Sequence, residues 1–126
     1  MYKDEKHFVK KFMEALVKHN IKSYDFESSA PTSTPDIHIC HTGGSSAWIE
    51  AKYIRKDEKL VFQKGQQQWL RTYHGKSYVV AFHHRLGIFL AEGKKASLLS
   101  KKFDKSQWIP ASCLNALCLA IHTDII

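Results

Sequence analysis

One segment, residues 35–52, restricts the fold of this chain more than any other. In its first half Ile37 and Ile39 alternate with polar residues, which is the two-residue period of a strand that buries one face. Gly43 and Gly44 then lie in a run of turn-forming residues, and the alternation resumes after them. The segment therefore predicts two consecutive antiparallel strands joined by a tight turn.

The polar face of this predicted hairpin carries three charged side chains. Asp36 begins the first strand, and Glu50 and Lys52 stand two residues apart on the second. Such groups are rarely buried unless they are paired or bind metal. Two carboxylates suit Mg²⁺, and a neighbouring lysine suits activation of water or neutralisation of a phosphate. The pattern favours metal-assisted phosphodiester hydrolysis; the alternative is a turn-forming Asp36 beside a solvated Glu50–Lys52 ion pair.

The same residues resemble the motif of the PD-(D/E)XK nuclease superfamily. Pro35 and Asp36 match its first part, and Glu50, Ala51 and Lys52 match its second. The resemblance implies that Asp36 and Glu50 bind the metal ion, that the backbone carbonyl of Ala51 is a further ligand and that Lys52 activates water. It also implies hydrolysis that leaves a 5′-phosphate.

A helix is predicted ahead of the hairpin, over residues 4–20. Apolar residues recur at helical spacing from Phe8 to Leu16, and Asp4 is a suitable N-cap. On a helical wheel Glu5 falls on the apolar face. Glu5 is therefore a candidate metal ligand, and equally a first-turn acid that complements the helix dipole.

A second helix, predicted from about residue 62 to residue 73, is rich in glutamine; because Gly65 weakens its start, a later beginning is the alternative. In the virus-type nucleases of the VRR-NUC group, and in archaeal-type Holliday-junction resolvases, a glutamine lies on the helix directly after the lysine strand. Gln66 best resembles that position, with Gln63 as the alternative, and the resemblance implies that its amide contacts a phosphate or the attacking water. Glutamines such as Gln67 and Gln68 otherwise only keep a helix surface soluble.

Further strands are predicted over residues 21–28, 77–84 and 88–91. The helix between the third and fourth strands permits a parallel crossover, so the sheet should be mixed. The order of elements resembles the αβββαβ core of the superfamily and implies a restriction-endonuclease-like α/β (α+β) fold. We expect one domain, 1–126, with the nuclease-like core at about 5–92 and a basic and apolar extension at 93–126.

Two features of the second half of the chain concern its surface. His83 and His84 end a predicted strand and should face opposite sides, as surface or phosphate-contacting residues. The apolar tail, 113–126, should either pack on the sheet or form a dimer surface.

Charge indicates the kind of partner. The chain has 19 Lys and Arg against 12 Asp and Glu, and six of its seven excess positive charges lie in residues 61–126. A polyanion is the expected partner. Five lysines interleaved with apolar residues should contact a phosphate backbone, or else only solubilise a short helix. They are Lys94, Lys95, Lys101, Lys102 and Lys105.

Other features of the sequence exclude some classes of protein. Three cysteines without CxxC spacing disfavour a disulfide framework or a zinc site and indicate a reducing compartment. The charged first residues argue against a secretory signal, and the apolar tail is too short and interrupted to span a membrane. We therefore expect an intracellular, cytoplasmic protein, either phage-encoded or associated with a host nucleoid.

These observations and the resemblance together predict a Mg²⁺- or Mn²⁺-dependent DNA endonuclease, and the resolvase resemblance implies branched or junction DNA as its substrate. The predicted catalytic residues are Asp36, Glu50, Lys52 and Gln66. The resolvase resemblance implies a homodimer with two sites. The alternative is a non-catalytic nucleic-acid-binding protein that keeps the fold while its acids have structural roles.

Overall fold

A computed structural model of the chain describes residues 2–26 and 33–126. Within these ranges the elements, in chain order, are α1 (Glu5–Val17), β1 (Ile21–Asp25), β2 (Ile37–His41), β3 (Ser46–Ile54), α2 (Gln66–Thr72), β4 (Lys76–His83), β5 (Gly87–Glu92), 3₁₀ helices at Gly93–Leu98 and Lys105–Gln107, β6 (Ile109–Ala111) and α3 (Leu114–Ile125). The last residues of the predicted first strand, 27 and 28, lie outside the described residues.

The strands form one six-stranded sheet in the order β1-β2-β3-β4-β5-β6. β3 and β4 run parallel and are connected through α2, whereas the other neighbouring pairs are antiparallel. The parallel crossover predicted from the sequence is therefore confirmed. With helices on both faces, the mixed sheet has the α+β, restriction-endonuclease-like fold that the motif implied.

The predicted hairpin is β2 and β3, whose register pairs Ile37 with Ile49 and Ile39 with Ala47. Both isoleucines of β2 are fully buried, because this face of the sheet lies under α1. In the turn Gly44 adopts φ +100°, a backbone conformation that favours glycine. The alternation read from the sequence thus sets which side chains enter the core and which point to the other face.

Helix α1 begins where its cap was predicted. Asp4 accepts a hydrogen bond from the backbone N–H of His7 at 2.9 Å. Phe8, Phe12 and Leu16 lie on one face of the helix and are completely buried. They pack against the isoleucines of β2 and hold the start of the helix over the sheet.

The C-terminal tail packs on the same face of the sheet as α1. Leu117, Cys118 and Ile121 of α3 are completely buried in that cluster. The tail therefore completes the core, although Leu119 and Ile126 remain exposed. No helix in the described part of the chain is long and apolar enough to cross a membrane.

Two sequence predictions need correction here. Helix α2 begins at Gln66, not at residue 62, because Gly65 precedes it with φ +86°. His83 is fully buried, so its predicted surface position is wrong. Its Nδ1 accepts the backbone N–H groups of Arg85 and Leu86, each at 3.1 Å, and it therefore caps the turn between β4 and β5.

The basic extension also differs from the predicted short amphipathic helix. Its lysine-bearing part, residues 93–107, consists of two 3₁₀ helices and an irregular run between them. That run is anchored to the loop after β3: Leu60 donates its N–H to the Lys101 carbonyl at 2.7 Å, and Phe103 donates to the Glu58 carbonyl at 2.9 Å.

Candidate active site

Asp36 and Glu50 meet at the point where the β2–β3 ladder ends. Asp36 precedes β2 by one residue and lies just beyond the last register pair, Ile37 with Ile49. Its backbone N–H donates to Glu50 Oε1 at 3.2 Å. In turn, the N–H of Ala51 donates to Asp36 Oδ2 at 3.3 Å. The two carboxyl groups therefore face one another across adjacent strands.

Burial makes this pair of acids costly to ionise. Glu50 is only 2% exposed. Burial, and then the charge of Glu50, raise the pKa of Asp36 to about 8, against partial opposition from Lys52 and the Ala51 N–H. Burial also raises the pKa of Glu50, and Lys52 and Asp36 oppose that rise. Burial and the facing carboxyl group therefore favour the protonated form of Asp36, and a bound cation would favour the ionised form.

Lys52 is fixed beside the acids by three contacts. Its Nζ lies 2.9 Å from Glu50 Oε2, 3.2 Å from Gln66 Oε1 and 4.6 Å from the centroid of the Phe62 ring. The lysine side chain is 12% exposed. The Glu50–Lys52 ion pair is therefore a buried pair and not the solvated pair that was the alternative from sequence.

Gln66 contributes the amide that holds this lysine. It is the first residue of α2 and is 3% exposed. Its Oε1 accepts from Lys52 and also from the backbone N–H of Gln63 at 2.8 Å. Because both partners are donors, they fix which end of the amide points at the lysine. Gln67 instead donates to the Ala96 carbonyl.

These groups line one open cleft of about 550 Å³. Glu5, at the start of α1, lines the same cleft, as do Ala51, Arg55 and Lys59. The structure thus brings every residue of the predicted catalytic and metal-binding sets to a single concavity.

The donor set of the cleft fits a small, hard divalent cation. Among residues 2–26 and 33–126 no group of three or more His, Cys, Asp or Glu side chains is arranged to hold a metal ion. Mg²⁺ needs no such cage, since it keeps several waters and takes one or two carboxylates. Asp36 and Glu50 supply these. The Ala51 carbonyl is placed to add a third oxygen, because the N–H and C=O of a strand residue point to the same edge.

The five lysines predicted to contact phosphate do not form one patch. Lys101 and Lys102 line a groove of about 640 Å³ together with Lys59, which also lines the carboxylate cleft. Lys94 lines a different groove, with Lys76 and Asp124. Lys95 and Lys105 are exposed on the two 3₁₀ helices. Only the first group therefore continues the surface of the cleft.

Sequence reasoning missed Phe62, Arg55 and Lys59 at this site. Phe62 was assigned to the second helix, yet the chain before Gly65 is irregular and places the phenyl ring against Lys52. Arg55 and Lys59 belong to a turn whose charges look solvent-directed in the sequence. No signal in the sequence distinguishes these cleft residues from ordinary surface cations.

Comparison with known proteins identifies a similarity of fold. No protein-family profile matches the chain, and no curated protein does either. Among solved structures it is similar to Hjc, a Holliday junction resolvase from the archaeal hyperthermophile Archaeoglobus fulgidus. The TM-score is 0.58 at 19% identity, over 82% of this chain and 90% of the resolvase. The similarity shows that the two proteins share a fold, which is restriction-endonuclease-like.

Proposed function

We propose that this protein is a metal-dependent DNA endonuclease that acts on branched or junction DNA. The observation that carries the proposal is the buried Asp36–Glu50 pair, with Lys52 held beside it in an open cleft. Facing carboxyl groups with raised pKa values are typical of functional sites. The name of the solved neighbour, a Holliday junction resolvase, supports junction DNA as the substrate, and the net charge of +7 suits a polyanion.

In this proposal Asp36, Glu50 and the Ala51 carbonyl hold Mg²⁺ or Mn²⁺. A cation held by these groups would supply Lewis-acid stabilisation of negative charge and would lower the pKa of water near the scissile phosphate. Charge stabilisation at the phosphate and its positioning are the roles of two side chains. Lys52 presents a fixed ammonium group to the charge that develops on the phosphate. Gln66 positions that ammonium through its Oε1.

The test is cleavage of a labelled panel that contains single-stranded, duplex, flap and four-way-junction DNA, with Mg²⁺, Mn²⁺ or chelator. Wild type should cut one or more branched substrates only when metal is present, and the product should carry a 5′-phosphate that ligates without kinase treatment. Glu50→Gln and Lys52→Ala should each reduce the rate by about a hundredfold or more. Lys56→Ala is the matched control, because Lys56 is exposed and does not line the cleft.

Retained cleavage in both Glu50→Gln and Lys52→Ala would refute the assignment. A second candidate function, a non-catalytic nucleic-acid-binding protein, is favoured by one observation: Asp36 and Glu50 each accept a backbone N–H of the other strand, which is a structural role that needs no metal. It predicts salt-sensitive binding without cutting under any metal. The same panel, read for binding as well as for cleavage, separates the two functions.

The proposal includes a homodimer, since two sites would make paired cuts across a junction. Exposed apolar side chains at Ile109 of β6, at Leu119 of α3 and at Ile126, which follows α3, offer contact surface. Light scattering of the purified protein, alone and with junction DNA, measures the mass directly. A monomer that cuts junctions would refute this part of the proposal alone.

A further inference from the structure

The face of the sheet that carries Asp36 continues into a group of aromatic side chains. Phe26 follows β1 and donates its backbone N–H to the Asp36 carbonyl at 2.8 Å. Tyr24 lies two residues before Phe26, and His38 lies two residues after Asp36. In the sheet Tyr24 pairs with His38, and His38 pairs with Trp48. Paired residues lie on the same face, and so do residues two apart on a strand. We call Tyr24, Phe26, His38 and Trp48 the aromatic shelf.

The centre of the aromatic shelf is Trp48, two residues before Glu50 on β3. The centroid of its ring lies 4.6 Å from that of His38 and 5.5 Å from that of Phe26. On the other side it meets Trp69 of α2 edge-on at 5.6 Å. Contacts of this kind restrict the rings and leave a preorganised surface.

The aromatic shelf is not part of the hydrophobic core. In the described ranges Trp48 and Phe26 pack against neither of the two buried apolar clusters. Phe26, His38 and Trp48 are partly exposed, and Tyr24 is 50% exposed. The opposite face of these strands is the one that α1 covers. Rings kept at the surface beside a charged cleft need a reason other than fold stability.

Position and charge indicate what these rings contact. Two residues along a strand span about 7 Å of backbone, so Trp48 and Glu50 are neighbours on one face of β3. Lys22, exposed and paired with Cys40, adds a cation to the same face. A surface of partly exposed aromatic rings flanked by lysine is the chemistry that binds single-stranded nucleic acid, because every base has a face that stacks.

We propose that the aromatic shelf stacks the unpaired bases next to the scissile phosphate, so that cleavage occurs where a single strand leaves a duplex. The groove lined by Lys59, Lys101 and Lys102 takes the phosphates of the duplex on the other side of the cleft. The position of the cut rests on the proposed function. Base stacking itself does not, because it needs neither metal nor hydrolysis.

The first experiment measures binding in chelator, where hydrolysis cannot occur. Fluorescence anisotropy with a labelled oligothymidine and with a blunt duplex compares wild type with Trp48→Leu, Trp48→Phe and Tyr24→Leu. Trp48→Leu should weaken single-strand binding by about tenfold or more and duplex binding by less than about twofold. Trp48→Phe, which keeps a ring, should restore most of the loss. Val17→Ala is the control, since Val17 is 66% exposed at the end of α1 and belongs neither to the aromatic shelf nor to the proposed dimer surface.

The second experiment locates the stacked bases. Forked DNA is prepared with a single abasic position moved along the unpaired arm. Wild type should lose affinity at the one or two positions next to the fork, and Trp48→Leu should lose nothing further there, because ring and base form one interaction. Unfolding temperatures of all variants establish that each is folded.

The outcomes separate this inference from the proposed function. An equal loss of single-strand and duplex affinity in folded Trp48→Leu, or no loss, would overturn the inference even if junction cleavage is observed. Absence of single-strand binding by wild type would overturn it as well. Abasic sensitivity that depends on Trp48, without cleavage under any metal, would support the inference and refute the nuclease.

Discussion

Replacing Asp36 by asparagine should stabilise the metal-free protein at alkaline pH. Folding raises the pKa of this carboxyl from 3.8 to about 8. A group whose pKa is raised on folding stabilises the folded state fully below its unfolded pKa, and that stabilisation is lost as the pH rises through the folded pKa. The folded state therefore loses this stabilisation as the pH rises from about 4 to about 8. Asparagine does not titrate, so it escapes this loss.

The contacts of Asp36 indicate that asparagine fits the site. Its side-chain oxygen can accept the Ala51 N–H, as Asp36 Oδ2 does now, and its amide nitrogen can donate to Glu50. One pKa unit is about 1.4 kcal/mol, so a rise from 3.8 to about 8 sets a ceiling near 6 kcal/mol. The gain should be smaller than this ceiling, because the pKa of Asp36 depends on Glu50 and Lys52 as well and because water enters the open cleft. We therefore expect a gain of about 2 kcal/mol at pH 8.5, or roughly 6 °C for a domain of this size.

The assay is thermal unfolding followed by circular dichroism in chelator, at intervals from pH 4 to pH 8.5. The difference between Asp36→Asn and wild type should be near zero at the acid end and should grow with pH. Glu14→Gln makes the same acid-to-amide change on the exposed side of α1 and should show no such trend. Equal destabilisation of Asp36→Asn at every pH would refute the reasoning, since it would mean that lost contacts outweigh the charge.

Three further outcomes test the site and its surroundings. Mg²⁺ at ten times its dissociation constant should stabilise wild type by about 1.4 kcal/mol at pH 8, seen as a rise in unfolding temperature that Asp36→Asn does not show. Gln66→Leu should lower the free energy of unfolding by about 1 kcal/mol, because it leaves the Lys52 ammonium and the Gln63 N–H, both partly shielded from water, without their shared acceptor, and should also slow cleavage. Lys101→Ala combined with Lys102→Ala should weaken duplex binding. The slope of the logarithm of the association constant against the logarithm of the salt concentration should become shallower by about 2, measured by anisotropy over a salt series.

Each of these variants has a control of the same chemistry. Gln68→Leu changes an exposed glutamine of α2 and should alter the free energy of unfolding by less than about 0.5 kcal/mol. Lys10→Ala combined with Lys11→Ala removes two exposed cations from α1 and should leave most of the salt slope in place. If both double variants reduce the salt slope equally, DNA is attracted by the overall positive charge of the protein and is not bound specifically in the groove.

The sequence was sufficient to predict the scaffold because the scaffold depends on local patterns. Alternation around Ile37 and Ile39 specified a half-buried strand, and the cap at Asp4 specified where α1 begins. The chain between β3 and β4 is long enough for a helix, and the helical crossover makes those strands parallel. These features need only neighbouring residues and the general rules of sheet topology.

The carboxylate pair was predictable for a similar reason, since a hairpin brings its two strands together whatever the rest of the chain does. How deeply Glu50 is buried was not predictable, because that depends on α2 and on the loop that precedes it. Gly65 shows why: its positive φ delays the helix, and the irregular run before it carries Phe62 to Lys52. Contacts between distant segments, such as the anchoring of residue 101 to residue 60, have no local signature.

The end of the β2–β3 ladder explains why acids can be concentrated at this point of the sheet. The register of β2 with β3 ends at Ile37 and Ile49, so in the described part of the chain no further ladder partner accepts the Ala51 N–H, and an unpaired buried donor would be costly. The Asp36 carboxylate accepts it instead, while Glu50 accepts the Asp36 N–H. Each acid therefore completes the backbone hydrogen bonding of the opposite strand. The same exchange directs both carboxyl groups into the cleft, so the fold itself sets the geometry that a cation would need.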